Sequence, residues 1–258
     1  MERYLFLGAL QGITEFLPVS SSAHLVLAQA ILGMDPPGVV LEAVLHLGTL
    51  LAVLIYFRRD ILLLLERVVR GDPGGLRYLG LLAAATVPIV LAGFLLRDPI
   101  ERAFSSTRIA GGLLLVTGTL LLLADHKLNT GTPRSLDFPR AAGIGGAQAL
   151  ALLPGISRSG VTIAAGIILG LGVGEAVRFS FFLAIPAIAG GGLISILDAL
   201  ATGLRPQEWW GLAIGGTAAL ASGLLAIKFL LAVLGRGKLW PFGLYCLTVG
   251  TLALILLR

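Results

Sequence analysis

Two short stretches hold most of the side chains able to do chemistry. The first, Gln11 to Leu25, reads QGITEFLPVSSSAHL, and the second, Leu153 to Thr162, reads LPGISRSGVT. In the first, Glu15 follows Gln11 by four residues, which places both on one helix face. A carboxylate there can act as a base or ligate a divalent cation, and in apolar surroundings an ionisable group is costly enough to indicate function. Ser21 and His24 are three apart, hence neighbours on a following helix. A hydroxyl beside an imidazole is the smallest arrangement that makes an activated nucleophile, with Glu15 available to orient the ring or hold a metal. In the second stretch Arg158 offers a planar fork of donors that matches phosphate oxygens and stays charged when partly buried. Ser157, Ser159 and Thr162 surround it with hydroxyls, and Ser20 and Ser22 do the same for Ser21.

The two stretches share a local grammar. An apolar run ends at a proline (Pro18, Pro154), serines follow within a few residues, and an apolar run resumes. Proline disfavours helix for the residue before it and serine is a favoured N-cap, so each stretch predicts helix, break and new helix. A new helix N-terminus presents unpaired N–H groups and partial positive charge, which suits a phosphate. The pair of broken helices is expected to form one site for a lipid-linked phosphate.

The surroundings of these stretches are those of a bilayer protein. Of 258 residues, 57% are hydrophobic and only 13% are charged, where a soluble domain carries about a quarter charged. Six spans are expected, at Gly38–Phe57, Leu76–Leu96, Ile109–Ala124, Ala176–Leu200, Trp209–Leu234 and Leu239–Leu257. The N-terminal run carries Gln11 and Glu15 and is read as mature protein, not a cleaved signal. The single cysteine, Cys246, excludes an intrachain disulfide and a cysteine-based metal site. The net charge of +5 comes from basic residues in short loops, which argues for membrane topology and against nucleic-acid binding.

Gly80 and Thr86 recur as Gly211 and Thr217, and Gly112 and Thr117 as Gly243 and Thr248, all at one offset, while the two break prolines recur at a slightly larger one. A single membrane domain built from two pseudo-repeats, roughly 1–130 and 131–258, follows. Each half holds one broken stretch and three spans. Three is odd, so the second half is expected to be inverted. The expected fold is therefore an all-α integral membrane protein, with six transmembrane helices and two re-entrant broken helices as an inverted-topology repeat.

Arg58, Arg59, Arg67, Arg70, Arg77, Lys127, Arg134, Arg140, Arg236 and Lys238 fall on one side of this arrangement. Arg3, Arg97, Arg102, Arg108, Arg205 and Arg258 fall on the other. The richer side is assigned to the cytoplasm. Ile61–Val69 is expected to lie along the interface as an amphipathic helix. Glu42 and Arg178 share the offset of the prolines and are expected to pair across the halves, with His46 in the same polar patch. The glycines at 190–192 are expected to permit close helix packing.

At these residues the sequence resembles the undecaprenyl-diphosphate phosphatase family, also called the bacitracin-resistance family, of bacterial inner membranes. The resemblance spans essentially the whole chain and rests on QGITEFLPVSSSAH and PGISRSGVT, with Gln11 standing where the family allows glutamate or glutamine. It implies hydrolysis of undecaprenyl diphosphate to undecaprenyl phosphate, recycling the carrier lipid, with a divalent cation (Mg2+ or Ca2+) and a site open to the periplasm. By motif position it implies Ser21 as nucleophile, His24 as its acid/base partner and Glu15 as base or, with Gln11, metal residue. Arg158, Ser157 and Thr162 correspond to the diphosphate clamp. Whether Ser21 is phosphorylated or His24 activates water stays open, as does oligomeric state, a homodimer included. The rival reading is a transporter or flippase for a polyprenyl phosphate. The acid-phosphatase-like lipid phosphatases are excluded, since no histidine follows His126.

Overall fold

The computed structural model describes residues 1–32, 39–128, 133–202 and 209–257, and of residues 39 and 193–202 the backbone alone. Among the described residues all regular structure is helical: α1 (Glu2–Phe16), α2 (Ser21–Leu32), α3 (Val39–Tyr56), α4 (Arg58–Val69), α5 (Pro73–Leu95), α6 (Arg97–Phe104), α7 (Thr107–Lys127), α8 (Phe138–Leu150), α9 (Arg158–Ile168), α10 (Val173–Thr202), α11 (Trp209–Leu234) and α12 (Trp240–Leu256).

Both expected breaks are present. α1 stops because Leu17, pressed by Pro18, takes an extended conformation with ψ 142°. α2 restarts at Ser21. α8 ends at Leu150 and α9 restarts after Ser157, whose side chain accepts from the Gly160 N–H at 3.1 Å as an N-cap. Between them Gly155 runs at φ +106°, and a Cβ there would strike the Ala110 carbonyl, so only glycine fits.

Among the described residues four helices are long and apolar enough to cross a membrane: α5, α7, Val173–Gly192 of α10, and α11. α3 joins α4 through a 73° bend, and the pair makes a fifth candidate. Length and composition confirm four or five of the six expected spans among the described residues, since α12 has only 17 residues and α3 turns along a new direction at Phe57. Gly38, Arg205 and Arg258, which belonged to the expected span and charge tally, lie outside the described residues.

Small residues set how the helices meet. Gly8 and Gly12 of α1 face the carbonyls of Gly215 and Ala219 on α11, so the two helices run parallel in close contact. α8 lies parallel to α5, with Gly145 against Ala85 and the Leu136 carbonyl accepting from Arg77. α7 and α12 run antiparallel, with Gly118 facing Gly243 and Gly111 facing Gly250. Each broken-helix stem thus leans on a long helix from the other half of the chain. Under α1, Phe16 and Phe57 pack on Phe181 with ring centroids 5.7 and 5.2 Å apart, and Tyr78 meets Phe179 and Phe182 edge-on. This aromatic block adjoins the site in sequence, Phe16 following Glu15 directly.

Candidate active site

The structure brings the two breaks together. The Gly155 N–H donates to Ser20 Oγ at 3.2 Å, and Ser159 Oγ donates to the Leu17 carbonyl at 3.2 Å. Across that seam Arg158 Nη2 meets Glu15 Oε1 at 2.8 Å. The other carboxylate oxygen, Oε2, accepts from Ser21 Oγ at 2.6 Å and from Gln11 Nε2 at 3.1 Å. His46 Nε2 stands 3.9 Å from the same oxygen. Glu15 is 8% exposed and the Arg158 side chain 12%, so the pair is largely withdrawn from water yet internally compensated. Arg158 Nη1 is buried and has no hydrogen-bond partner, which leaves a charged donor ready for an incoming oxygen.

A cavity of about 610 Å³ opens onto these groups. Its polar end carries Glu15, Ser20, Ser21, Ser22, Ser157 and Arg158, together with Glu42 and His46 of α3. Its other walls are mostly apolar, from Ile89 of α5, Ile100 and Phe104 of α6, and Ile188 of α10, with Gln29 and Ser105 as further polar lining. The N-termini of α2 and α9 therefore meet at one end of a greasy chamber, an arrangement that favours a charged head on an apolar tail.

Several expected site residues face elsewhere. Thr162 is fully buried, donating to the Arg158 carbonyl at 2.7 Å and pairing with Ser180 Oγ at 2.6 Å, and it does not line the cavity. Ser159, 1% exposed, spends its hydroxyl on the Leu17 carbonyl and on Ser157 Oγ. Ser20 does line the cavity, but its Oγ also holds Gly155 and the first turn of α2. The Ser21 hydroxyl is on Glu15, and the ring nitrogens of His24 are engaged with other groups. Its Nδ1 bonds the Ser20 carbonyl at 2.8 Å and its Nε2 the Tyr245 hydroxyl at 2.7 Å. The reason is geometric: Ser21 is the first residue of α2 and reaches back to α1, while a residue three further on lies about 60° round the helix, towards α12.

The expected Glu42–Arg178 pair is corrected. Arg178 pairs with Asp60 at 2.7 Å and lies over the Phe182 ring, while Glu42 lines the cavity. α3 and α10 run antiparallel, with Gly192 against Leu47, so Glu42 and Arg178 sit at opposite ends of the helix pair. His46, expected in a structural patch, keeps Nδ1 on the Glu42 carbonyl at 2.8 Å and turns Nε2 to the site. In the glycine run 190–192, Gly192 approaches Leu47 while Gly190 faces open space. Sequence reasoning missed two supports. Thr117 Oγ1 donates to the Gly155 carbonyl at 2.7 Å and accepts from the Ser157 N–H at 3.1 Å, which shapes the second break. Tyr245 was hidden as one polar ring on an apolar helix.

For a divalent cation the donors on hand are the Glu15 carboxylate and Gln11 Oε1, a buried acceptor with no partner. Among the described residues no cluster of three or more metal-ligating side chains of the usual types exists. The donor set fits a hard cation that keeps water and phosphate oxygens as ligands, and does not fit a fully protein-liganded one.

The model of one family, described as bacitracin resistance protein BacA, matches residues 4–252. Among similar curated proteins, one named undecaprenyl-diphosphatase from Halothermothrix orenii is 41% identical over 98% of this chain and 97% of its own. Another of that name from Rubrobacter xylanophilus is 40% identical over 98% of this chain and 97% of its own. A third, from Desulfosudis oleivorans, is 41% identical over 96% and 95%.

Proposed function

The chain belongs to the bacitracin resistance protein BacA family, and from that premise and the geometry of its two breaks we propose that it hydrolyses undecaprenyl diphosphate to undecaprenyl phosphate and inorganic phosphate. The observation that carries the reading is the joint use of Glu15: one carboxylate oxygen on Arg158, the other on the Ser21 hydroxyl. The full-length relatives named undecaprenyl-diphosphatase support the same substrate.

The terminal phosphoryl group sits between Ser21 and Arg158. Ser21 Oγ attacks phosphorus as its proton passes to Glu15. The new Oγ–P bond forms while the bridging P–O bond breaks, and the lipid leaves as its monophosphate. A water then attacks the phosphoserine, the Oγ–P bond breaks, Ser21 regains a proton, and inorganic phosphate departs. The Arg158 fork, the hydroxyl of Ser22 and the N-termini of α2 and α9 hold the equatorial oxygens, where charge gathers during in-line displacement. Glu15 and Gln11 would hold a divalent cation, Mg2+ or Ca2+, which supplies further neutralisation of phosphate charge. The apolar walls from α5, α6 and α10 receive the first isoprene units.

The finer architecture belongs to this proposal. α3 and α12 complete six spans, the halves 1–130 and 131–258 are inverted repeats, and α1 with α2 and α8 with α9 re-enter from opposite sides. The crossed contacts, α1 on α11 and α8 on α5, support it, since an in-plane two-fold axis relates one to the other. The cavity lies towards α6, away from the face where Asp60 meets Arg178 and Asp125 accepts from Leu239 and Trp240. That face carries the arginine-rich loops, which supports the reading that the site opens to the periplasm of an inner-membrane protein. A carrier for polyprenyl phosphate is disfavoured, because a carrier has no need of a hydroxyl seated on a carboxylate. Phosphate release from undecaprenyl diphosphate by the purified chain in detergent, with and without chelator, tests the reading. Absence of release by folded wild type at any divalent cation rejects it.

A further inference from the structure

Ser20 is the one non-glycine among the described residues with a positive φ, 68°, and it immediately precedes the hydroxyl assigned to attack. A side chain rarely adopts that conformation unless its surroundings hold it there. The Ser20 carbonyl is gripped twice by one residue: the His24 N–H donates to it at 3.2 Å and His24 Nδ1 at 2.8 Å. A carbonyl oxygen only accepts, so Nδ1 carries its hydrogen and Nε2 of the neutral ring is the acceptor. Nε2 is taken by the Tyr245 hydroxyl at 2.7 Å, with the two rings within 7° of parallel. Both imidazole nitrogens are therefore spent, neither on Ser21 nor on the cavity, whose lining excludes His24. The next residue of α12, Cys246, donates to the Pro18 carbonyl at 3.5 Å. α12 thus holds the first break at two points, from 221 residues away in the case of His24.

We propose that His24 is a positioning residue whose Nδ1–H fixes the Ser20 carbonyl and so aims Ser21 Oγ at Glu15, and that Tyr245 positions His24 in turn. This rests on the diphosphatase reading. It assigns a role to a tyrosine outside both broken stretches and removes the imidazole from proton transfer. The hydroxyl points correctly only while the left-handed turn at Ser20 persists, so loss of either support lowers turnover more than it weakens the capture of diphosphate, in which Arg158 supplies the full charge.

The test is steady-state phosphate release from a polyprenyl diphosphate by the purified full chain and by His24→Asn, His24→Gln, His24→Ala and Tyr245→Phe. Thermal melting of each variant is measured alongside. The asparagine amide N–H stands where Nδ1–H stands, whereas the glutamine amide reaches the position of Nε2. Expected are kcat within about threefold of wild type for His24→Asn and a loss of more than tenfold for His24→Gln and His24→Ala. Tyr245→Phe should lower kcat about three- to tenfold with KM within twofold, and adding it to His24→Ala should cause no further loss. If His24→Asn is as inactive as His24→Ala while melting like wild type, the imidazole itself is required and the proposal falls. It falls equally if Tyr245→Phe leaves kcat untouched or acts through KM. Should His24→Asn fail to fold, the Tyr245→Phe result decides alone. Wild type without phosphate release would reject the diphosphatase reading, and the positioning role with it.

Discussion

At the scale of residues, one carboxylate organises the site. Glu15 is placed between a cation it neutralises and a hydroxyl it deprotonates, and those duties compete. A carboxylate paired with arginine is a weak base, so the proton leaves Ser21 easily only when the phosphoryl group draws Arg158 away to its own oxygens. Binding of substrate and activation of the nucleophile become one event. Arg158→Ala should therefore cost more than one lost phosphate contact: kcat/KM for phosphate release falls by about 10³ or more, and Arg158→Lys, which lacks the fork, recovers under a tenth of it. Thr162→Ala should behave differently, since its hydroxyl is spent on the Arg158 carbonyl and on Ser180. It should lower the melting temperature, at about 1 kcal/mol for the lost bonds, and leave KM within about twofold. A KM effect with unchanged melting would return Thr162 to the phosphate. Residue types that touch phosphate were legible in the sequence, because charge and spacing are local. Which hydroxyl faces the cavity was not, because Ser157, Ser159 and Thr162 stand at different angles around the start of one helix, and packing alone decides which of them the cavity meets.

At the scale of elements, the breaks were legible and the spans only partly so. Proline and serine act on the residues beside them, and α1, α2, α8 and α9 begin and end near where those rules place them. The length of α12 and the bend after Tyr56 depend on neighbours far along the chain. The α1–α11 contact has a direct consequence. A side chain at Gly12 would enter the Ser222 hydroxyl and the Ala219 carbonyl, one turn before Glu15. Gly12→Val should destabilise by about 1–3 kcal/mol and abolish phosphate release even in protein that remains folded, as read by melting and activity together. Outside the membrane, Asp72 caps α5. Its carboxyl is held below its ordinary value, first by the N–H of Gly75 and then by Arg67. A depressed carboxyl stabilises the fold above its unfolded value, about pH 4, and that contribution fades as pH falls through the folded value. Acid titration of the melting temperature should show Asp72→Ala losing less than wild type between about pH 5 and pH 3. A parallel decline would assign the acid sensitivity elsewhere.

At the scale of the whole molecule, the Glu42 pairing expected from the repeat fails for an instructive reason. In the proposed inverted repeat, equal offset means equivalence and equivalence means opposite depth. Arg178 consequently meets Asp60 near the α3–α4 bend, while Glu42 lines the cavity at the other end of α3. The same inversion predicts accessibility. With a membrane-impermeant maleimide on intact cells, Ser105→Cys at the cavity mouth should label and Arg59→Cys should label only after the membrane is opened. Native Cys246 is fully buried and adds no background. The reverse pattern would turn the protein over and place the site in the cytoplasm.

The crossed leaning of each stem on the other half also sets a schedule for assembly. α1 leaves the ribosome well before α11, and its glycine seam finds that helix only after roughly 200 further residues have been synthesised. Arg158 is synthesised before α11 begins, but until α11 follows Gln11 and Glu15 lack their covering helix, and a carboxylate is costly in lipid. The stem must therefore wait in water or at the headgroups and slide in last, so the active site and the tertiary structure are completed in the same late step.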